Sequence, residues 1–202
     1  MAGVIAQLKR RAVVRDMLAN RQGLTVISGL GSPTYDVAAV ADHERNFYLW
    51  GAMGGAVAMG LGLALARPDL DVLVVTGDGE MLMGMGSLAT VGVKAPANLA
   101  ILVLDNGRYG ETGMQQSHTS TACDLCAIAR ACGIKDSWQV STAAELRRIR
   151  DDFQRNGSVR FLQAKVADDQ PGRVMPTRDA VANKLRFRRA VDAESAPSNA
   201  KP

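Results

Sequence analysis

Short, continuous apolar runs alternate along this chain with longer stretches in which apolar residues recur every three or four positions. Residues 8–20 carry the helical period and stop at Gly23, and residues 24–28 read as a short buried strand. The loop Gly29-Leu30-Gly31-Ser32-Pro33 leads into a helical turn reaching about Ala41, and residues 47–49 suit a second strand. Residues 56–66, rich in Ala, Leu and Met with Gly60 and Gly62 among them, predict a closely packed helix. Residues 71–76 (Asp-Val-Leu-Val-Val-Thr) and 99–104 carry continuous apolar runs, the mark of strands covered on both faces. Helices are expected over 81–93, 123–132, 143–155 and 183–191, with a last strand over 159–166. Strands alternating with helices predict an α/β fold, a parallel sheet flanked by helices on both faces. Ligands of such sheets bind beyond the carboxyl ends of the strands. The loops after Ser28, Leu49, Thr76 and Leu104 are therefore the ones expected to carry chemistry.

Composition narrows the class. The 202 residues suit one domain, expected over 1–192, with a tail of disordered composition over 193–202. Apolar residues make up 47% and charged residues 22%, the balance of a globular protein with a core. No apolar run reaches the roughly 20 residues expected to span a bilayer. The first ten residues place their charges after the apolar ones, the wrong order for a signal peptide. Three Cys give no disulfide framework, so a reducing cytoplasm is expected. The net charge of +4 lies in the last thirty residues, which hold seven Lys/Arg against three Asp/Glu. A neutral body with four Phe, two Trp and three Tyr offers nucleic acid neither an electrostatic footprint nor a stacking platform.

Two strand ends hold the candidate chemistry. After Thr76 come Gly77-Asp78-Gly79-Glu80 and a helix start. Glycines on both sides of the acid let the backbone approach a ligand, and a helix N-terminus suits phosphate oxygens. Asp78 would repel a bare phosphate unless a divalent cation bridged the two. Taken alone, a ligand-free surface turn explains the motif as well. Asp105-Asn106-Gly107-Arg108-Tyr109-Gly110 follows at the next strand end, and one βαβ unit would bring Asn106 beside Asp78. A carboxylate, an amide oxygen and a main-chain carbonyl are hard ligands of the kind Mg²⁺ takes.

This pair of loops resembles the cofactor motif of thiamine diphosphate enzymes. Leu49-Trp50-Gly51-Ala52-Met53-Gly54-Gly55-Ala56 stands where that family keeps its aminopyrimidine loop, and the segment from Leu104 to Gln115 looks like that of sulfopyruvate and phosphonopyruvate decarboxylases. The resemblance implies a thiamine diphosphate-binding fold with thiamine diphosphate and Mg²⁺ as cofactors. It implies Asp78, Asn106 and the Arg108 carbonyl as metal ligands, and Gly77, the amides of Gly79 and Glu80, Gly31, Ser32, Tyr109 and Gly110 around the diphosphate. Gly51 and Ala52 would meet the aminopyrimidine, and Met53 would wedge between the cofactor rings; core packing is the ordinary use of a Met. Full-length members carry an activating Glu on a separate pyrimidine-binding domain. The resemblance therefore implies a partner alpha subunit supplying that Glu, in an α2β2 or larger assembly, and a small 2-oxo acid as substrate.

Three further side chains are candidates for catalysis. Glu111 and Thr112 follow the metal loop, where Glu111 could relay a proton to a carbanion, and His118 could protonate product or bind an anion. Each has a bland counterpart, a solvated loop residue. His43 lies in a charged surface run. Cys123 and Cys126 lack the second pair a zinc site needs and read as buried thiols. The leading expectation is half of a 2-oxo acid decarboxylase. Half of a carboligase or carbon–carbon lyase, resembling acetolactate synthase or 2-hydroxyacyl-CoA lyase, is the alternative, and a non-catalytic cofactor-binding partner is a third. A nicotinamide fold is disfavoured because the third glycine of its fingerprint would be Thr34. The segment from Gly113 to His118 departs from the Gly-Gly-Gln run of the decarboxylases, which leaves the acyl group open.

Overall fold

The computed structural model describes residues 7–193. In chain order its elements are α1 (Arg10–Leu18), β1 (Thr25–Ser28), α2 (Ser32–Ala41), β2 (Asn46–Tyr48), α3 (Ala56–Ala66), β3 (Val72–Gly77), α4 (Asp78–Met83) and α5 (Ser87–Lys94). There follow β4 (Leu99–Asp105), β5 (Arg108–Tyr109), β6 (Gln115–Gln116), α6 (Leu125–Ala131), β7 (Asp136–Val140), α7 (Ala143–Gln154), β8 (Arg160–Lys165) and α8 (Ala180–Asp192). Six strands form one sheet in the order β2-β1-β3-β4-β8-β7, every pair parallel. The expected α/β architecture is the one observed.

Strand pleating divides the core into two layers, because successive side chains point to opposite faces. Val72 and Val74 of β3, with Leu99, Ile101 and Val103 of β4, pack with α3, α4, α5 and α6. Leu73, Val75, Ala100, Leu102 and Leu104 pack on the other face with α1, α2 and α7. Continuous apolar runs were the right signal for strands covered on both sides.

Three elements differ from the sequence expectation. The single helix expected over 81–93 is two, α4 and α5, parted at residues 84–86. Gly84 approaches the backbone of Gly54 so closely that a Cβ there would lie 2.2 Å from the Gly54 carbonyl oxygen. Packing against the preceding loop thus overrides helical periodicity. Strand β7 was unexpected, since Asp-Ser-Trp-Gln-Val is short, polar in alternation and hydrogen-bonded on one side only, to β8. The hairpin β5–β6 was also unexpected; its turn needs positive φ at Gly113 and Met114. The tail expected from 193 onward lies, Ala193 apart, outside the described residues.

From β1 the chain crosses to β2 on one side, and the next strand, β3, lies on the other. The carboxyl ends of β1 and β3 therefore flank a topological switch point, where open α/β sheets form their ligand crevice.

Candidate functional site

Register builds the site. Gly77 of β3 pairs with Leu104 of β4, so Asp78 and Asn106 leave adjacent strand ends at the same edge. Strands stand about 4.8 Å apart, which puts the two side chains within reach of one ion. Around them a cavity of about 100 Å³ is lined by Ser32, Met53, Asp78, Gly79, Asn106 and Tyr109, among others. Gly77, Glu80, Arg108, Gly110, Glu111 and Thr112 also line it, with Arg10 entering from α1. A larger cavity, about 310 Å³, opens at the opposite edge around Leu24, Asp71 and Arg160. It has none of the motif loops, and ligands of parallel sheets bind at the carboxyl edge.

Two glycines beside the site leave no room for a side chain, whereas Gly77 has ordinary contacts only. A Cβ on Gly79 would lie 2.7 Å from the Tyr109 ring, and one on Gly29 would lie 1.5 Å from Glu80 Oε2. Glu80 is 3% exposed. It accepts from Thr76 Oγ1 at 2.8 Å; the backbone amides of Ala56 and Gly54 face it, and its Oε1 is buried without a hydrogen-bond partner. Burial raises its pKa, and those donors oppose the rise. The Glu80 side chain is therefore held to the end of β3 by Thr76, while its amide stays at the start of α4.

Asp78 is 2% exposed. Burial pushes its pKa up to about 6; the Ser117 hydroxyl opposes the rise and the neighbouring Asp105 adds to it. Asp105 has its own cation, Lys165 Nζ at 2.6 Å. Among the described residues no Lys or Arg pairs with Asp78. A buried carboxylate without a cation, next to an amide oxygen, fits a divalent ion: the hard donors are present and the charge is uncompensated. Asn106 Oδ1 accepts from the Arg108 amide at 3.1 Å, which holds the side chain beside the loop backbone. Among the described residues no three His, Cys, Asp or Glu side chains cluster for a metal. The set is one carboxylate, one amide and one carbonyl, incomplete without ligand oxygens.

The other candidates divide. Met53 lines the cavity and is 39% exposed. Gly51, at φ 76, and Ala52 are exposed on the same loop but do not line it. Gly31 has φ 81, and a Cβ there would press on Glu111 at 2.9 Å. Glu111 lines the cavity with Arg173 3.8 Å away, and Thr112 donates to Gln115 Oε1 at 3.0 Å. His118 does not line the cavity; its ring meets the Tyr109 hydroxyl at 3.3 Å. Cys126 is buried, and all three thiols are free.

Sequence reasoning passed over several residues here. Arg10 is 6% exposed, donates to Ser32 Oγ at 2.6 Å and pairs with the fully buried Asp36 at 2.7 Å. Arg11 shares Asp36 and also donates to the Gly172 carbonyl at 2.8 Å. Trp50 Nε1 donates to the Thr177 carbonyl at 3.0 Å, and the Arg173 guanidinium lies over the Tyr35 ring. The irregular segment after β8 thereby braces the cleft from the side of α1 and α2. Ser117 and Thr119, beside Asp78, were also missed. Position next to the end of an expected strand was the available signal for Asp78 and Asn106; of these residues only Trp50 has it, and its partner Thr177 lies far off in sequence.

Residues 29–164 match the family described as thiamine pyrophosphate enzyme, C-terminal TPP binding domain. The chain belongs to this family. Its cofactor is accordingly thiamine diphosphate. The chain is 41% identical over 127 residues to the sulfopyruvate decarboxylase subunit beta of Methanocaldococcus jannaschii, covering 62% of this chain and 67% of that subunit. It is 45% identical over 131 residues to the phosphonopyruvate decarboxylase of Streptomyces viridochromogenes, 64% of this chain but 32% of that enzyme. The structure resembles benzoylformate decarboxylase from Polynucleobacter necessarius with a TM-score of 0.64 at 17% identity, a likeness of fold, over 81% of this chain and 34% of that one. The family member in hand thus spans two thirds of a beta subunit and about a third of single-chain relatives. No helix among the described residues is long and apolar enough to cross a membrane.

Proposed function

We propose that this chain is the diphosphate- and Mg²⁺-binding subunit of a split thiamine diphosphate-dependent decarboxylase acting on a small 2-oxo acid. The observation that carries the reading is the likeness to sulfopyruvate decarboxylase beta subunits, 41% identity over 127 residues in one of them, with Asp78 and Asn106 leaving adjacent strand ends at the cleft. Asp78, Asn106 and the Arg108 carbonyl would hold Mg²⁺, and the amides of Gly79 and Glu80 would receive the diphosphate, with Gly31 and Ser32 on its other side. When bound, thiamine diphosphate supplies a nucleophilic carbon and an electron sink for the carboxylate's departure. Met53, held out over the cleft, would fix the bend between the cofactor rings. Glu111, which lines the cleft, would return a proton after CO₂ leaves. His118, outside it, would act only if the partner closed the loop over substrate. The partner, a pyrimidine-binding alpha subunit, would bring the activating Glu into an α2β2 or larger assembly.

Co-expression tests this. The chain with its pyrimidine-binding partner, thiamine diphosphate and Mg²⁺ should release CO₂ from a 2-oxo acid, and the chain alone should release none. Robust decarboxylation by the purified chain alone would overturn the split-enzyme reading. Carbon–carbon joining or cleavage without net CO₂ release would move the assignment to a carboligase or lyase.

A further inference from the structure

Ser117 and Thr119 stand outside every motif, yet both meet the carboxylate on which the metal reading depends. Ser117 Oγ donates to Asp78 Oδ2 in a short hydrogen bond. Thr119 Oγ1 lies 3.2 Å from the same oxygen, 2.7 Å from Asp105 Oδ1 and 2.9 Å from Ser117 Oγ. Two hydroxyls have two protons for these contacts. The shorter distance gives the Thr119 proton to Asp105, and the Ser117 proton goes to Asp78. Both hydroxyls thus stand between two carboxylates whose only ion-paired cation among the described residues, Lys165, is on the Asp105 side.

The hydroxyls are themselves held. The Ser117 amide donates to the Gly107 carbonyl at 2.9 Å, closing the β5–β6 hairpin onto the metal loop. Lys165 Nζ donates to the Thr119 carbonyl at 3.0 Å, and Ser120 Oγ donates to the Ser117 carbonyl at 2.7 Å. Ser117 is 2% and Thr119 7% exposed, so water does not compete for them. Among the described residues Ser117 is thus the side-chain donor to Asp78, with Thr119 Oγ1 against the same oxygen. Both contacts fall on Oδ2, which leaves Oδ1 as the oxygen for a cation.

We propose that Ser117 and Thr119 are positioning residues for the metal site: Ser117 fixes the Asp78 carboxylate by one oxygen, and Thr119, anchored on Asp105, holds Ser117 in place, so that the other Asp78 oxygen is presented to the divalent ion. The proposal rests on the reading of Asp78 as a metal ligand. Partners of this kind, hydrogen-bonded to a ligand rather than to the ion, set ligand orientation and are worth about tenfold or more in metal affinity. The β5–β6 hairpin then has a purpose beyond covering the loop: it carries the anchor of the ligand on the neighbouring strand.

The test titrates Mg²⁺ into the complex with its partner and follows thiamine diphosphate binding by calorimetry, with Mn²⁺ in place of Mg²⁺ for the electron paramagnetic resonance line shape. Ser117→Ala should raise the half-saturating Mg²⁺ concentration by about tenfold or more and broaden the Mn²⁺ signal. Cofactor affinity at saturating Mg²⁺ should stay within about twofold of the parent, a split that general loosening of the fold would not produce. Thr119→Val removes the hydroxyl at constant shape and should weaken Mg²⁺ in the same way, while Thr119→Ser restores the parent value. Unchanged Mg²⁺ titration in Ser117→Ala and Thr119→Val, or an equal loss at every Mg²⁺ concentration, overturns the proposal. Should Ser117→Ala fail to fold, the Thr119 pair decides alone. Asp78→Ala separates the two levels: persistence of Mg²⁺-dependent binding there removes the metal site itself, whereas its loss beside an unaffected Ser117→Ala removes only the positioning role.

Discussion

Asp78 combines burial with a neighbouring carboxylate, and its pKa stands at about 6 against a usual 3.8. Below about pH 4 the group is protonated folded or unfolded and costs nothing. Between about 4 and 6 the unfolded chain loses the proton first, so this group lowers stability as pH rises and the deficit persists above 6. Asp78→Asn should therefore stabilise the cofactor-free chain at pH 7.5 by at most about 3 kcal/mol, seen as a higher thermal midpoint, and leave the midpoint nearly unchanged at about pH 3. Parallel melts at the two pH values measure this; an equal shift at both would trace the gain to packing. Asp78→Ala should abolish Mg²⁺-dependent binding of thiamine diphosphate, read by calorimetry on the assembled complex, because the diphosphate then faces a site without its bridging cation. Asp78 and Asn106 were legible because polar residues at the ends of buried parallel strands stand out by position. Ser117 and Thr119 were not: hydroxyl residues are common in loops, and only the hairpin brings them under Asp78. His118 drew attention by rarity, while the residues on either side of it are the ones turned inward.

At the scale of elements, apolar runs and helical periods located five of the six sheet strands and most helices. They failed where a contact distant in sequence decides local geometry. Residues 81–93 have the period of one helix, and the close approach of Gly84 to Gly54 breaks it. That contact also places Met53 over the cleft. Gly84→Ala should lower both the thermal midpoint and cofactor affinity, since the added methyl meets backbone that has no rotamer to yield. Gly62→Ala is the contrast. A Cβ there meets nothing within 4 Å, so the free chain should gain about 0.5–1 kcal/mol from helix propensity. Denaturant melts of both variants check the pair, and a destabilised Gly62→Ala would mean that the outer face of α3 is already packed. Strand β7 escaped notice for another reason: at the edge of the sheet its alternation of polar and apolar residues is weak over five positions.

The whole molecule carries more apolar surface near the cleft than its own fold uses. Helix α3, Ala-Val-Ala-Met-Gly-Leu-Gly-Leu-Ala-Leu-Ala, has no polar side chain, yet Ala58, Gly62 and Leu65 are exposed. Helices apolar all round are normally buried on every side. Met53, Met83 and Met85 are likewise exposed, at 39%, 58% and 37%. Methionines on a surface suit a partner that repacks them, and three beside the cofactor cleft extend the apolar face on which the proposed pyrimidine-binding partner would sit. Met85 is the informative position, since it does not line the cleft. A charge at Met85 costs little while it faces water and several kcal/mol once a partner covers it. Met85→Glu should accordingly leave the thermal midpoint of the chain alone nearly unchanged and abolish co-elution with the pyrimidine-binding subunit in size-exclusion chromatography. Activity of the mixture would fall with assembly and recover at higher subunit concentration, since the site itself is intact. Normal assembly by Met85→Glu would place the partner on another face, and α3 with its uncovered side would then need a different occupant.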